Sequence, residues 1–177
     1  DEYINGRFEN QFEFLIRNPD CAAVFCDYNF FNLNRKELGF MPSAVDADLV
    51  HLSLINPQRC PHSGVMFRRT KVLQVGGYMP EDFPAEDLGL WIRLINNRNK
   101  ICSLPLVLLN YLIRPSGITN TKKVEMGERT LKLRLEVVKS IANTKNIKEL
   151  LSHLSVYKHT PRGDFLSLIH ISEPTRR

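Results

Sequence analysis

FPAEDLGLWIRLINNRNKICSLPLVLLNYLI, Phe83 to Ile113, holds the two elements whose reading decides the fold. The spacing predicts a helix over Ala85 to Asn97. Leu90, Trp91 and Leu94 fall on one face, and Gly89, Arg93 and Asn96 form a polar stripe. Ile101 to Ile113 is apolar but broken by Ser103, Pro105 and Asn110. A bilayer span needs about 20 apolar residues, so this run is expected to be a buried strand.

Upstream of that pair, HSGVMFRR (His62 to Arg69) reads as a strand. Thr70 is then expected to cap a short helix through Val75, which Gly76 and Gly77 close because they tolerate the left-handed conformation. CAAVFCDYNFF (Cys21 to Phe31) is a near-continuous apolar run, as expected of a strand covered on both faces. Ile4 to Asn18 reads as a helix with Phe8, Phe12, Leu15 and Ile16 on its inward face, ended by Pro19 and Asp20. Arg35 to Ser53 reads as irregular, with one short helix near Asp46 to Leu52. After Pro115, Ser116 and Gly117 the composition turns polar. Glu125 to His153 reads as helix with a stripe of Leu131, Leu135, Val138, Ile141 and Ala142, broken near Asn143 to Asn146. The expected fold is therefore α/β: three strands in one mixed sheet, flanked by the helices at Ile4 and Ala85, with a helical C-terminal extension.

The 177 residues suffice for one domain with a real core but hardly for two. A hydrophobic share of 43% with 24% charged residues excludes wholesale disorder. The net charge of +5 comes from scattered Lys and Arg, not from a basic stripe interleaved with aromatics, so nucleic acid is not an expected partner. Cys21, Cys26, Cys60 and Cys102 lack metal or redox spacing, and Cys21 and Cys26 should face opposite sides of one strand. Free core thiols in a reducing cytosol are expected. The chain starts at Asp1 rather than Met, with helix-like sequence almost at once, which suggests that something upstream has been removed. The last residues, Leu166 to Arg177 (LSLIHISEPTRR), resemble a translated sequencing adapter and are set apart from the fold.

Glu86 and Asp87 carry the chemistry. Acidic residues in a first helical turn stabilise it by about 0.3–1 kcal/mol through the helix dipole and need no further role. Periodicity separates the two, however. Glu86 lies above the polar stripe, whereas Asp87 lies over Leu90, Trp91 and Leu94. A carboxylate aimed at the body of a protein must be paired, bound or used.

Three blocks together resemble family 2 glycosyltransferases of the GT-A fold: Asp1 with RFENQFEFLIRNPDCAAVFCDY (Arg7 to Tyr28), PHSGVMFRRTKVLQVGGY (Pro61 to Tyr78), and FPAEDLGLWIRL (Phe83 to Leu94). The resemblance covers residues 1–119, leaving 120–165 as the extension. It implies the C-terminal half of a transferase domain, which moves a sugar from a nucleotide-sugar donor to a glycan or lipid-linked acceptor with inversion. It further implies Asp87 as catalytic base beside Glu86, and acceptor contacts from Gly76, Gly77, Tyr78 and Trp91. Donor contacts would come from His62, Arg69 and Arg114, where many relatives carry His at the last of these positions. Asp1 would mark the end of an acidic motif for a divalent metal, Mg or Mn, in the complete enzyme. This chain alone is expected to bind no metal and to be inactive. The resemblance also implies polysaccharide biosynthesis in the cytoplasm, with room for peripheral association of the parent at the inner face of the membrane. The alternative is a non-catalytic interaction domain on the same scaffold.

Overall fold

In the computed structural model, residues 1–42 and 61–143 are described. The chain divides into two compact units, Asp1–Leu135 and Glu136–Arg177. The first unit thus extends past residue 119, the expected end of the domain. Its elements are β1 (Glu2–Tyr3), α1 (Arg7–Arg17), β2 (Cys21–Phe31), β3 (Glu37–Met41), β4 (Met66–Phe67), α2 (Arg69–Gln74), α3 (Glu86–Asn96), β5 (Lys100–Leu112), α4 (Ile118–Thr121) and α5 (Lys123–Asn143), the last continuing beyond Leu135. Short 3-10 turns occupy His62–Gly64 and Pro80–Asp82. Of the second unit only the end of α5 is described. The expected helix at Asp46 to Leu52, Cys60, the break after Asn143 and the tail from Leu166 lie outside the described residues.

The sheet is mixed and open, in the order β1-β5-β2-β3, with β4 also paired to β2. β2 and β5 run parallel along nearly their whole length. The apolar runs expected of both are present, and Ala22, Ala23, Val24, Ile101 and Leu109 are fully buried. Pro105 does not end β5. The register passes from Cys26 opposite Leu104 to Asp27 opposite Val107. Pro105 and Leu106 are therefore set out of the ladder, where a residue without an N–H costs nothing.

The strand expected over His62 to Arg69 shrinks to Met66–Phe67, antiparallel to Ala23 and Val24. Its first residues turn instead, because Gly64 packs closely on Pro61, Leu109 and Cys26. At its other end, Arg68 donates to the carbonyls of Cys21, Leu15 and Asn18. Arg68 rather than Thr70 stands at the start of α2, and Arg69 is already helical. Gly76 and Gly77 follow α2 with φ of 88° and 68°, the left-handed closure expected of them. The hairpin strand β3 was not expected. Asn32 Oδ1 accepts from the backbone N–H of Asn34 and of Lys36, an Asx turn that reverses the chain.

Helix α1 is turned the opposite way from its apolar stripe. Phe8, Phe12 and Ile16 are 54%, 60% and 61% exposed, while Arg7, Gln11 and Leu15 are buried. The cause is tertiary. Gln11 Nε2 donates to the carbonyls of Val24 and Gly64 at 3.0 and 2.9 Å. Arg7 donates to Gln11 Oε1 at 3.0 Å and to the Val65 carbonyl at 3.1 Å. The helix presents to the sheet the face whose polar groups satisfy these buried carbonyls, each of which would cost about 1–3 kcal/mol if left without a partner. A similar correction applies to α5, where Leu131 and Leu135 are exposed and Leu133 is buried.

Candidate functional site

The site forms where α3 begins. Its sequence buries almost every face: Leu88, Leu90, Trp91, Ile92 and Leu94 are each at most 4% exposed. Trp91 stacks edge-on against Phe25 with ring centroids 5.3 Å apart. Trp91 is therefore a core residue at 1% exposure, not an acceptor platform. The expected polar stripe is solvated only at Asn96. Gly89 is buried against Asp82, and Arg93 Nη1 donates to Asp82 Oδ2 while its Nη2 donates to the Gly77 carbonyl at 2.6 Å.

Three segments converge on the first turn of α3. Tyr78, after the two glycines, meets His62 of the 3-10 turn, with Oη and Nε2 3.3 Å apart and rings 5.5 Å apart. The His62 ring lies 6.1 Å from Trp91, one turn along the helix from Asp87. Burial pushes the Asp87 carboxyl above its ordinary range. The Leu88 N–H, donating to Oδ1 at 2.7 Å, and the nearby His62 work against that rise, and the Glu86 charge adds to it. Burial also raises the Tyr78 phenol, helped by the charges of Asp87 and Glu86. Glu86 does not point into solvent as its stripe suggested. It is half-buried, and its Oε2 finds no hydrogen-bond partner among the described residues. Such an oxygen is a buried acceptor with its hydrogen-bonding capacity unused.

Asp82 was not among the expected site residues, yet it organises the region. Its side chain is 3% exposed, with Arg93 on one oxygen and Arg129, from α5, on the other. A buried carboxylate needs such partners. The signal in the sequence was thin: an acidic residue closing a Pro-initiated 3-10 turn, and two arginines 11 and 47 positions away. This arrangement explains Gly89, since a Cβ there would stand 2.1 Å from Asp82 Oδ2. Gly89→Ala is expected to destabilise by about 1–3 kcal/mol through overpacking, measured by urea unfolding. A change below about 0.5 kcal/mol would mean that Asp82 moves aside freely.

His62, Tyr78, Glu86 and Asp87 are thus brought together, with Gly76 and Gly77 shaping the loop. The remaining expected residues are elsewhere. Arg69 is the exposed first residue of α2. Asp1 Oδ1 accepts from the Leu112 N–H at 2.9 Å, and Arg114 follows just beyond the same strand end. Among the described residues no group of three or more His, Cys, Asp or Glu could hold a metal ion. A single carboxylate engaged by the Leu112 N–H does not on its own supply the several oxygens that a divalent ion takes. No protein-family model matches the chain, and no curated protein matches it in sequence. Among the described residues, no helix is long and apolar enough to cross a membrane.

Proposed function

We propose that this chain carries the acceptor side of an inverting sugar-transfer site of the family 2, GT-A type, with Asp87 as general base. The observation that carries the reading is the Asp87 carboxyl itself. It stands at the mouth of α3, its proton affinity raised by burial, beside the Tyr78–His62 pair. A base poised above the ordinary carboxylate range accepts a hydroxyl proton more readily near neutral pH. In the step, an acceptor hydroxyl oxygen attacks the anomeric carbon of a nucleotide sugar. Its proton passes to Asp87 Oδ2, the bond to the nucleoside diphosphate breaks, and the electron pair leaves with that phosphate. Tyr78, 42% exposed, offers a ring and a hydroxyl to the acceptor sugar. Glu86 is half-buried beside it and carries a carboxylate that can accept from a second sugar hydroxyl.

The test is release of nucleoside diphosphate from a panel of nucleotide sugars, with glycan and lipid-linked acceptors, by the full-length product of the gene. For the active combination, kcat/KM should rise with pH through the Asp87 ionisation, above the ordinary value of about 3.9. Glu86→Gln keeps one accepting oxygen and should lower kcat/KM by about tenfold or less, since a neutral hydrogen bond is worth roughly 0.5–1.5 kcal/mol. No release from any donor would instead favour a non-catalytic scaffold.

A further inference from the structure

The Tyr78 loop is held from a distance. Its Gly77 carbonyl accepts from Arg93, Arg93 also donates to Asp82, and the second oxygen of Asp82 is taken by Arg129. Arg129 sits on α5, in the segment whose sequence reads as an extension outside the domain. One other contact ties that segment to the same place, and its helix is itself packed. Lys122 Nζ lies 5.0 Å over the Phe83 ring, and Leu133, one turn beyond Arg129, is 3% exposed. A single carboxylate shared by two guanidiniums is sensitive to losing either one. Without Arg129, Asp82 Oδ1 is left buried and unpaired. The carboxylate is then free to rotate, and Arg93 loses the geometry in which one nitrogen meets Asp82 and the other Gly77. The two glycines before Tyr78 add no stiffness of their own, since both adopt positive φ without a side chain to restrain them.

We propose that Arg129 is a positioning residue: from α5 it fixes Asp82 and, through Arg93, the Gly77 carbonyl, and so holds Tyr78 against His62 beside Asp87. The role of this placement in sugar transfer rests on the reading above, but the placement itself is measurable without any substrate. Tyrosine labelled with carbon-13 at Cζ, with the Tyr78 resonance assigned through Tyr78→Phe, reports the phenol's titration. In the unaltered chain Tyr78 should titrate above the ordinary tyrosine value of about 10, because the loop keeps it part-buried beside two carboxylates. In Arg129→Met, of similar length but without charge, its titration should fall back towards that value. Arg129→Lys, which retains the charge, should restore at least part of the elevation. Hydrogen exchange of the residue 76–79 amides should quicken at least tenfold in Arg129→Met while the β2 amides stay protected.

If Arg129→Met does not fold, the double variant Asp82→Asn/Arg129→Met, which leaves no unpaired buried carboxylate, takes its place with the same expectation. Tyr78 titrating as in the unaltered chain, with residues 76–79 equally protected, overturns the proposal. So does exchange that quickens equally in the loop and in β2, because that is global destabilisation. An absence of sugar transfer under every condition would count against the proposed function and leave these two readouts standing.

Discussion

Asp87→Asn is expected to lower kcat/KM by 10²- to 10⁴-fold, about 3–5 kcal/mol of barrier, while the fold stays intact. Asparagine keeps the size of the side chain and an oxygen for the Leu88 N–H, which Asp87 Oδ1 now accepts at 2.7 Å. What it cannot do is take a proton. Stability should move the other way. Burial raises the native carboxyl above its unfolded value, so the native state binds that proton more tightly than the unfolded chain does. Stability therefore falls as pH rises from the unfolded value, about 3.9, through the raised native one. Above that window the ionised Asp87 is a cost that Asn removes. The melting temperature of Asp87→Asn at pH 7 should equal or exceed that of the unaltered chain. A site residue whose loss removes function but not stability is a usual form of the trade-off between the two. The assay is nucleoside diphosphate release with the active donor, set beside a thermal melt. Transfer retained within a few-fold would place the base elsewhere and end this assignment.

Asp82→Ala is expected to cost about 3–5 kcal/mol of folding free energy, because it leaves Arg93 and Arg129 part-buried without their shared partner. For a chain of this size that corresponds to a melting temperature lower by roughly 10 °C. The loss should depend on pH in a definite direction. Burial alone would raise the Asp82 carboxyl, but the hydrogen bonds and charges of Arg93 and Arg129 outweigh it and hold the group below its ordinary range. A depressed native value contributes stability that is present above the unfolded value, about 3.9, and lost as pH falls through the native one. The gap between the unaltered chain and Asp82→Ala should then be full at pH 6–7 and narrow below about pH 4. Chemical denaturation across that range measures it. A gap under about 1 kcal/mol at neutral pH would show the cluster to be effectively solvated.

How much of this was legible beforehand varies by element, for reasons that are local or not. β2, β5 and α3 lie within a residue or so of their expected ends, because contiguous apolar runs and a 3.6-residue period are properties of neighbouring residues. The inward lean of Asp87 followed from the same period, since its phase relative to Leu90, Trp91 and Leu94 is set by the helix alone. The left-handed closure at Gly76 and Gly77 was equally local. Glu86 was misplaced because its stripe was judged by residue type. Gly89 and Arg93 look solvent-facing in one dimension, yet both meet Asp82. Helix α1 shows the limit more sharply. Its Phe8, Phe12 and Ile16 stripe has the spacing of a core face, but the carbonyls of Val24 and Gly64 claim Gln11 and turn the stripe outward.

Which segments extend or coil, and that Asp87 leans over the apolar face of its helix, could be read from neighbouring residues alone, because those depend on interactions within a few residues; that Glu86 is drawn in beside it could not. Only the tertiary structure decided which face of α1 is buried, that Trp91 is core rather than platform, and that Asp82 is shared between Arg93 and Arg129. These outcomes turn on partners that are far apart in the chain, and a buried polar group takes whichever partner the fold brings within hydrogen-bonding distance.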